Sequence, residues 1–502
     1  MGVIARQSIK GAIANYLGVA IGFYVSFFVL TRYLTQEEIG LTRVLIDAAV
    51  LFSSLAMMGS GQSLVKFFPY FRDGRTHHGI FGLATLLSLA GFALFAVVFL
   101  LFQGPLLEAY SRKAPLLADY FHLVPMITFF ALYVGVYEAG ASVLMRVSVP
   151  KMVREVGVRL FNLVAYLLYG WGWVSLDVFV WLFCGSYGLA MLLNLFYLVK
   201  VGGAGFRVLG VDWSFLGGGQ WGAMLRYSLL MAATVLAGNI PLMNSLFIGA
   251  KVGLALTGVY TIAAFVANVV EVPYRSLGAI SRPVVAAAVK EGRWGDVERL
   301  GREVSLHQLL VSGMVFVLIW INVDALFAVI PNGADYAGGA WVVFILGLAK
   351  VMNSSLSIGT DILGLSNRYS RSLFFVAVLT GGAVVFNGLL IPRMGIEGAA
   401  LATLCAYGVY FVLLLLYLRV RLGVSLFSRG QLKVVVVMGG LLLLDVGWKW
   451  VVGGGGEMSV GGVLLWSGVK TVVFLLLGLG GVYGWRVSPT VNGLVKKCFR
   501  VQ

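Results

Sequence analysis

The chain has 502 residues, of which 60% are hydrophobic and only 12% charged, with a mean hydropathy of +0.94; soluble domains are about 45–50% apolar, so a water-soluble globular protein is excluded. The net charge of +16, from 37 Lys and Arg against 21 Asp and Glu, would suggest nucleic acid in a soluble chain, but most of these bases sit at the ends of apolar runs and describe membrane topology, not a nucleic-acid partner. Cys184, Cys405 and Cys498 stand apart with neither metal-ligand nor redox spacing, which argues against a disulfide framework and supplies no metal or cofactor site.

At roughly 20 apolar residues per crossing, the sequence predicts an all-α polytopic membrane protein. It holds about 14 transmembrane helices, centred near Ala20, Phe52, Ala90, Phe130, Val164, Gly188, Val235, Val266, Val315, Ile345, Val378, Thr403, Met438 and Phe474. Arg6 and Lys10 before the first run imitate a signal peptide, yet no small-x-small cleavage site precedes Arg32, so the run reads as a retained first helix.

The second span, in "YLTQEEIGLTRVLIDAAVLFSSL" from Tyr33 to Leu55, carries Arg43 and Asp47. Four residues apart, they share one helix face and can pair. Charges in hydrocarbon are costly, so that face is expected to meet an interior, a water-filled space or a partner. Glu138 stands alone on the fourth span, and Arg159 and Asn162, three apart, share a face of the fifth, with Arg159 near the cytoplasmic interface. On the eighth, Thr261, Asn268 and Arg275 repeat at sevens with Glu271 four before Arg275. In "KVMNSSLSIGTD" of the tenth, Lys350, Asn353, Ser354, Ser357 and Asp361 fall at steps of three or four, and Lys350 has no acid within a turn.

Pro125, Pro241 and Pro273 interrupt their spans and predict bends, static or gating. His77 and His78 read as solvated loop residues, and "KEGRWGDVERLGREV", Lys290 to Val304, as an amphipathic connection on the inner surface. Lys and Arg cluster at the ends this count makes cytoplasmic, among them Lys66, Arg146, Lys151, Arg154, Arg368, Arg371, Arg419 and Arg421. The positive-inside rule therefore predicts both termini in the cytoplasm.

"IGLTRVLIDAAV" from Ile39 leading to "RDGR" at Arg72 parallels "TGVYTIAAFVANV" from Thr257 leading to "KEGR" at Lys290. Gly40 aligns with Gly258, and Asp73 to Arg75 with Glu291 to Arg293, at one ungapped offset of 218 (258 minus 40). The expected organisation is a six-helix lobe over residues 1–218, a second over 219–427, and two additional helices with a tail over 428–502. An even number of spans per copy relates the copies by an axis along the membrane normal, with a cavity between them.

The segment "SIKGAIANYLGVAIGFYVSFFVLTRYLTQEEIGLTRVLIDA" and the connection "KEGRWGDVERLGRE" resemble the multidrug/oligosaccharidyl-lipid/polysaccharide (MOP) exporter superfamily, and within it the polysaccharide and O-antigen flippases. The resemblance covers the first twelve spans by sequence and the last two by count. It implies two MATE-like lobes and a transporter that flips undecaprenyl-diphosphate-linked oligosaccharide repeats across the bacterial inner membrane. Its partners would be that lipid-linked sugar, membrane lipid, a polysaccharide polymerase and other assembly proteins. By similarity, Arg43 and Arg275 match the basic residues that line the cavity. The polar stripes add Lys350, Arg159, Asn268 and Asn353 as substrate-binding candidates, because a diphosphate crossing a low-dielectric space needs charge-assisted partners. Between Lys10 and Arg32 the first helix carries no base, a departure from the lipid II flippase branch.

A cation-coupled drug exporter of the same superfamily is an open alternative. It would use carboxylates, here Asp47, Glu138, Glu271 and Asp361, and needs only twelve spans. A membrane-embedded polymerase or ligase would need a long outer loop, and the longest predicted outer connections, about 14 residues, are of ordinary length. "GGGG" at Gly453 lacks the Lys-Ser/Thr of a phosphate-binding loop, so the chain is not expected to hydrolyse ATP.

Overall fold

The computed structural model describes residues 17–71, 77–202, 211–212, 220–366, 368–452 and 460–487. Asp73 to Arg75, Gly453 to Gly456 and Cys498 lie outside the described residues.

The longer helices begin with α1 (Leu17–Tyr33), α2 (Gln36–Ala56), α3 (Ser60–Phe71), α4 (Ile80–Ser111), α5 (Leu123–Val143), α6 (148–170), α7 (Leu176–Gly202), α8 (Gln220–Gly238) and α9 (Ile240–Lys251). Then follow α10 (Leu254–Asn268), α11 (Val272–Lys290), α12 (Trp294–Ile321), α13 (Ala340–Leu365), α14 (Ser372–Leu422), α15 (Arg429–Val452) and α16 (Val460–Gly484). Ten of the described helical stretches are long and apolar enough to cross a membrane, and every predicted span centre lies in a helix.

The difference between ten and about 14 has local causes. α1 is 17 residues with a π-helical turn at Val25–Leu30, and α6 contains another at Val153–Gly157. The seventh span is split at Asn239 into α8 and α9. α14 comprises two helices, one for each of two predicted spans, which meet without a loop at a kink at Gly395, whose φ of 59° and ψ of −132° suit only glycine.

The three prolines expected to bend their spans lie in first helical turns, whereas Pro69, Pro105, Pro283 and Pro392 stand inside helices. Pro241 and Pro273 sit in the first turn of α9 and α11, where the missing N–H breaks no hydrogen bond, and Pro125 lies in the first turn of α5. A capping box starts α2: Glu38 N–H donates to Thr35 Oγ1 at 3.3 Å and Thr35 N–H to Glu38 Oε2 at 2.8 Å. In the connection from Lys290, Glu291 to Arg293 form a turn and the residues from Trp294 are the first turns of the 28-residue α12. His77 is not solvated as expected: it packs on the rings of Phe68 and Phe81, while His78 Nδ1 lies 3.2 Å from Asp212 Oδ2.

The chain divides into two compact units. One comprises Met1–Thr261 with Asn387–Ile396, the other Ile262–Phe386 with Glu397–Gln502. One buried cluster of the first unit joins Leu64, Phe68 and Phe71 of α3, Ile80 and Phe81 of α4 and Leu132, Tyr133, Val136 and Tyr137 of α5. In the second, Phe316 and Val317 of α12, Val351 of α13, Leu441 of α15 and Phe474 of α16 form one core, so the last two helices are packed into it. Lipid is as apolar as these side chains, so the clusters hold through close van der Waals fit and not through escape from water.

Candidate functional site

In the first unit, α2 places Arg43 and Asp47 one turn apart, and Arg43 Nε donates to Asp47 Oδ2 at 2.6 Å. The carboxylate is 2% exposed and its arginine 30%, so the pair is anchored from its acidic end. Ser245, on the helix that Pro241 starts, donates its hydroxyl to the same Oδ2 at 2.5 Å. Beside it, Asn387 Nδ2 donates to Asn244 Oδ1 at 2.9 Å, and Asn244 Nδ2 to the Tyr260 hydroxyl at 2.6 Å. Tyr187 of α7 lies within electrostatic reach of Asp47, Arg43 and Arg159 together.

Arg159 of α6 donates from Nη1 to the carbonyl of Gly18 and holds Nη2 3.3 Å from Glu155 Oε2. Its guanidinium lies against two glycines of α1, since a Cβ on Gly18 or on Gly22 would stand 3.0 Å from Nη1. The neighbouring Asn162 is buried. Glu138 is not isolated: Arg154 Nη1 donates to its Oε2 at 2.6 Å.

The second unit gathers a second group. Glu271 ends a 3₁₀ turn, Val269–Glu271, between α10 and α11. Two residues of α13 converge on it, Asn353 donating from Nδ2 to Oε1 at 2.9 Å and Lys350 placing Nζ 3.3 Å from Oε2. Two turns along α13, Asp361 Oδ2 accepts from Arg282 Nε at 2.9 Å, and Arg282 Nη2 donates to the Tyr274 hydroxyl at 2.8 Å. Asn268 and Arg275 are exposed, and among the described residues Arg275 has no ion-pair partner.

Sequence reasoning missed Ser245, Arg282 and one further pair. In the last two helices Lys470 Nζ lies 2.5 Å from Asp445 Oδ1 and donates to the Ile321 carbonyl at 2.8 Å, with Asp445 2% and Lys470 8% exposed. The available signal was one acid and one base in adjacent apolar spans.

Each of the four candidate coupling carboxylates thus has a cationic partner: Asp47 with Arg43, Glu138 with Arg154, Glu271 with Lys350, Asp361 with Arg282. An incoming organic cation would have to displace a resident one. An incoming anion needs only to share or take a guanidinium, whose flat fork suits phosphate oxygens.

No protein-family model matches the sequence, and no curated protein matches it. Solved structures do. The lipid II flippase MurJ in an inward closed conformation superposes with a TM-score of 0.73 at 10% identity, covering 95% of this chain and 98% of that one. The chain has the fold of that flippase. A MATE-family multidrug resistance transporter of the MOP superfamily, facing inward, reaches a TM-score of 0.60 at 15% identity over 84% of this chain and 98% of its own. A MOP superfamily transporter from Pyrococcus furiosus, described as having a binding pocket of reversed polarity, gives 0.56 at 14% over 84% and 95%. Ten helices among the described residues, long and apolar enough to cross a membrane, mark a multi-pass membrane protein, and the structures it resembles are transporters.

Proposed function

We propose that the protein is a flippase for polyprenyl-diphosphate-linked oligosaccharide repeats, working by alternating access in the bacterial inner membrane with both termini cytoplasmic. The observation that carries this reading is coverage. The flippase matches 95% of the chain and the MATE transporter 84%, so the flippase alignment takes in more of a chain that ends in two additional apolar helices. A prenyl tail stays in lipid while the diphosphate crosses, and the charge it carries must be paired on the way.

Arg43 suits that role. Its carboxylate partner is buried, its own side chain is partly exposed, and a guanidinium's planar fork suits the oxygens of a diphosphate. Arg275 brings an exposed charge on the eighth span, and Lys350 and Asn353 a buried one with an amide, under a two-lobe arrangement of residues 1–218 and 219–427. Arg159, Asn268 and Asn353 supply further polar contacts to sugar or phosphate. Absence of any base between Lys10 and Arg32 favours a lipid-linked sugar other than lipid II.

The test is deletion followed by analysis of lipid-linked intermediates. Complete repeat units accumulating on the cytoplasmic face, with drug susceptibility and lipid II unchanged, support the proposal. Accumulated lipid II or raised drug sensitivity alone would overturn it in favour of the lipid II flippase or the drug exporter respectively.

A further inference from the structure

The two helices that carry the sequence repeat meet at glycine. α2 begins at Gln36 and α10 at Leu254, 218 residues on (254 minus 36), the same offset that aligns Gly40 with Gly258. A Cβ on Gly40 would collide with the Leu254 carbonyl oxygen, and one on Gly258 with the Gln36 carbonyl oxygen. The offset exchanges these contacts with one another, as a local two-fold axis through the crossing requires.

Other close contacts surround this end of the two helices. A Cβ on Gly249 would meet Val44 at 3.2 Å and Tyr110 at 3.4 Å, and the Tyr110 hydroxyl donates to the Leu246 carbonyl at 3.0 Å. Gly253, at a φ of 120°, faces the Lys113 carbonyl. Leu254, Thr257 and Val259 are buried.

Backbone laid on backbone differs from knobs set in holes, because no side chain must be withdrawn when the helices part. What is lost is van der Waals fit and weak Cα–H to oxygen contacts, each about 0.5–1 kcal/mol, with no hydrophobic drive opposing separation in lipid. The buried pair Lys350–Glu271, in contrast, would leave uncompensated charge if drawn apart.

We infer that the reciprocal Gly40/Gly258 crossing is a gate, closed in this conformation, which must part for the end of the protein bearing residues 33–36 and 251–254 to open. This rests on the transport reading above. Alanine at either glycine puts a methyl where a carbonyl stands, and by the reciprocity of the contact both variants shift the population in the same direction.

The experiment uses the full chain with its three cysteines changed to Ala and Thr257→Cys added as a reporter. A membrane-impermeant maleimide is applied to intact cells and, separately, to inside-out vesicles. Gly40→Ala and Gly258→Ala should each raise labelling of the reporter roughly ten-fold in one preparation, as a comparable shift toward the open state would. Unchanged labelling in both preparations, with normal protein level, overturns the gate. Should alanine at these positions prevent folding, the glycines are kept and Gln36→Cys with Leu254→Cys is bridged by a short bifunctional thiol reagent. The bridged protein should stop exporting and recover on cleavage of the bridge, and normal export while bridged overturns the inference. Labelling does not depend on the substrate, so a failed flippase assignment leaves its result readable.

Discussion

Asp47 is nearly buried and accepts from both Arg43 and Ser245 on one oxygen, so neutralising it and deleting Arg43 are different perturbations. Asp47→Asn leaves Arg43 in place and freer to hold phosphate, whereas Arg43→Ala removes the cation and strands a buried carboxylate. Export of surface polysaccharide, measured together with protein level, should fall more in Arg43→Ala, and Arg43→Lys should keep part of it because charge survives without the fork. The opposite order would support cation coupling at Asp47. For Lys350 the expected defect is structural as well as functional: Lys350→Glu places two carboxylates together, at a cost of about 3–5 kcal/mol for a broken buried pair, and should lower abundance. The swap Lys350→Glu with Glu271→Lys should restore abundance but not export; if it restores neither, the pair is not what the substitution disrupts. At this scale the sequence disclosed what helical spacing can disclose. Arg43 and Asp47 are one turn apart, so their pairing is legible, while Lys350 finds its acid 79 residues earlier (350 minus 271) on another helix, and Arg154 reaches Glu138 across 16 residues. Spacing along one helix carries no information on what a neighbouring helix brings.

Among the elements, α14 and the final hairpin show where patterning ends. Hydropathy separates the spans at Val378 and Thr403, and the backbone parts them at Gly395, a non-helical residue between two helices that no hydropathy pattern marks. Gly395→Ala forces an L-residue into a region open only to glycine, at roughly 1–3 kcal/mol, and thermal unfolding of the purified protein should start at lower temperature. An unchanged profile would mean the bend relaxes. In the hairpin, Lys470 supplies positive charge to the carbonyl at the C-terminal end of α12, and Asn322 Nδ2 donates to Thr471 Oγ1 at 2.8 Å beside it. Lys470→Ala and Asp445→Asn should each destabilise the protein, and the double variant should cost less than the sum of the two. Additive losses would show that the two residues act separately. Apolar length alone predicted that these helices exist; their polar fastening to α12 depends on where α12 ends, which no periodicity marks.

For the whole molecule, the distribution of bases remains the guide to orientation. Single cysteines at His78 and at the exposed Trp173 should behave oppositely toward an impermeant thiol reagent on intact cells, with Trp173→Cys labelled and His78→Cys protected. Labelling of His78→Cys alone would invert the topology. Of the two short anchors of the expected repeat, Gly40 and Gly258 lie at a close helix crossing that leaves no room for a side chain, and Asp73 to Arg75 lie outside the described residues. The pairing of buried charges also bears on how the chain is made. Arg43 and Asp47 leave the ribosome almost together and can neutralise each other within one segment as it enters the translocon. Glu271, although Arg275 follows it by four residues, pairs in the folded protein with Lys350, synthesised 79 residues later with one further span between them. The Glu271 pair is therefore completed only when the tenth span arrives, and the Glu138–Arg154 pair only when the fifth does, whereas Arg43 and Asp47 complete theirs within a single helix.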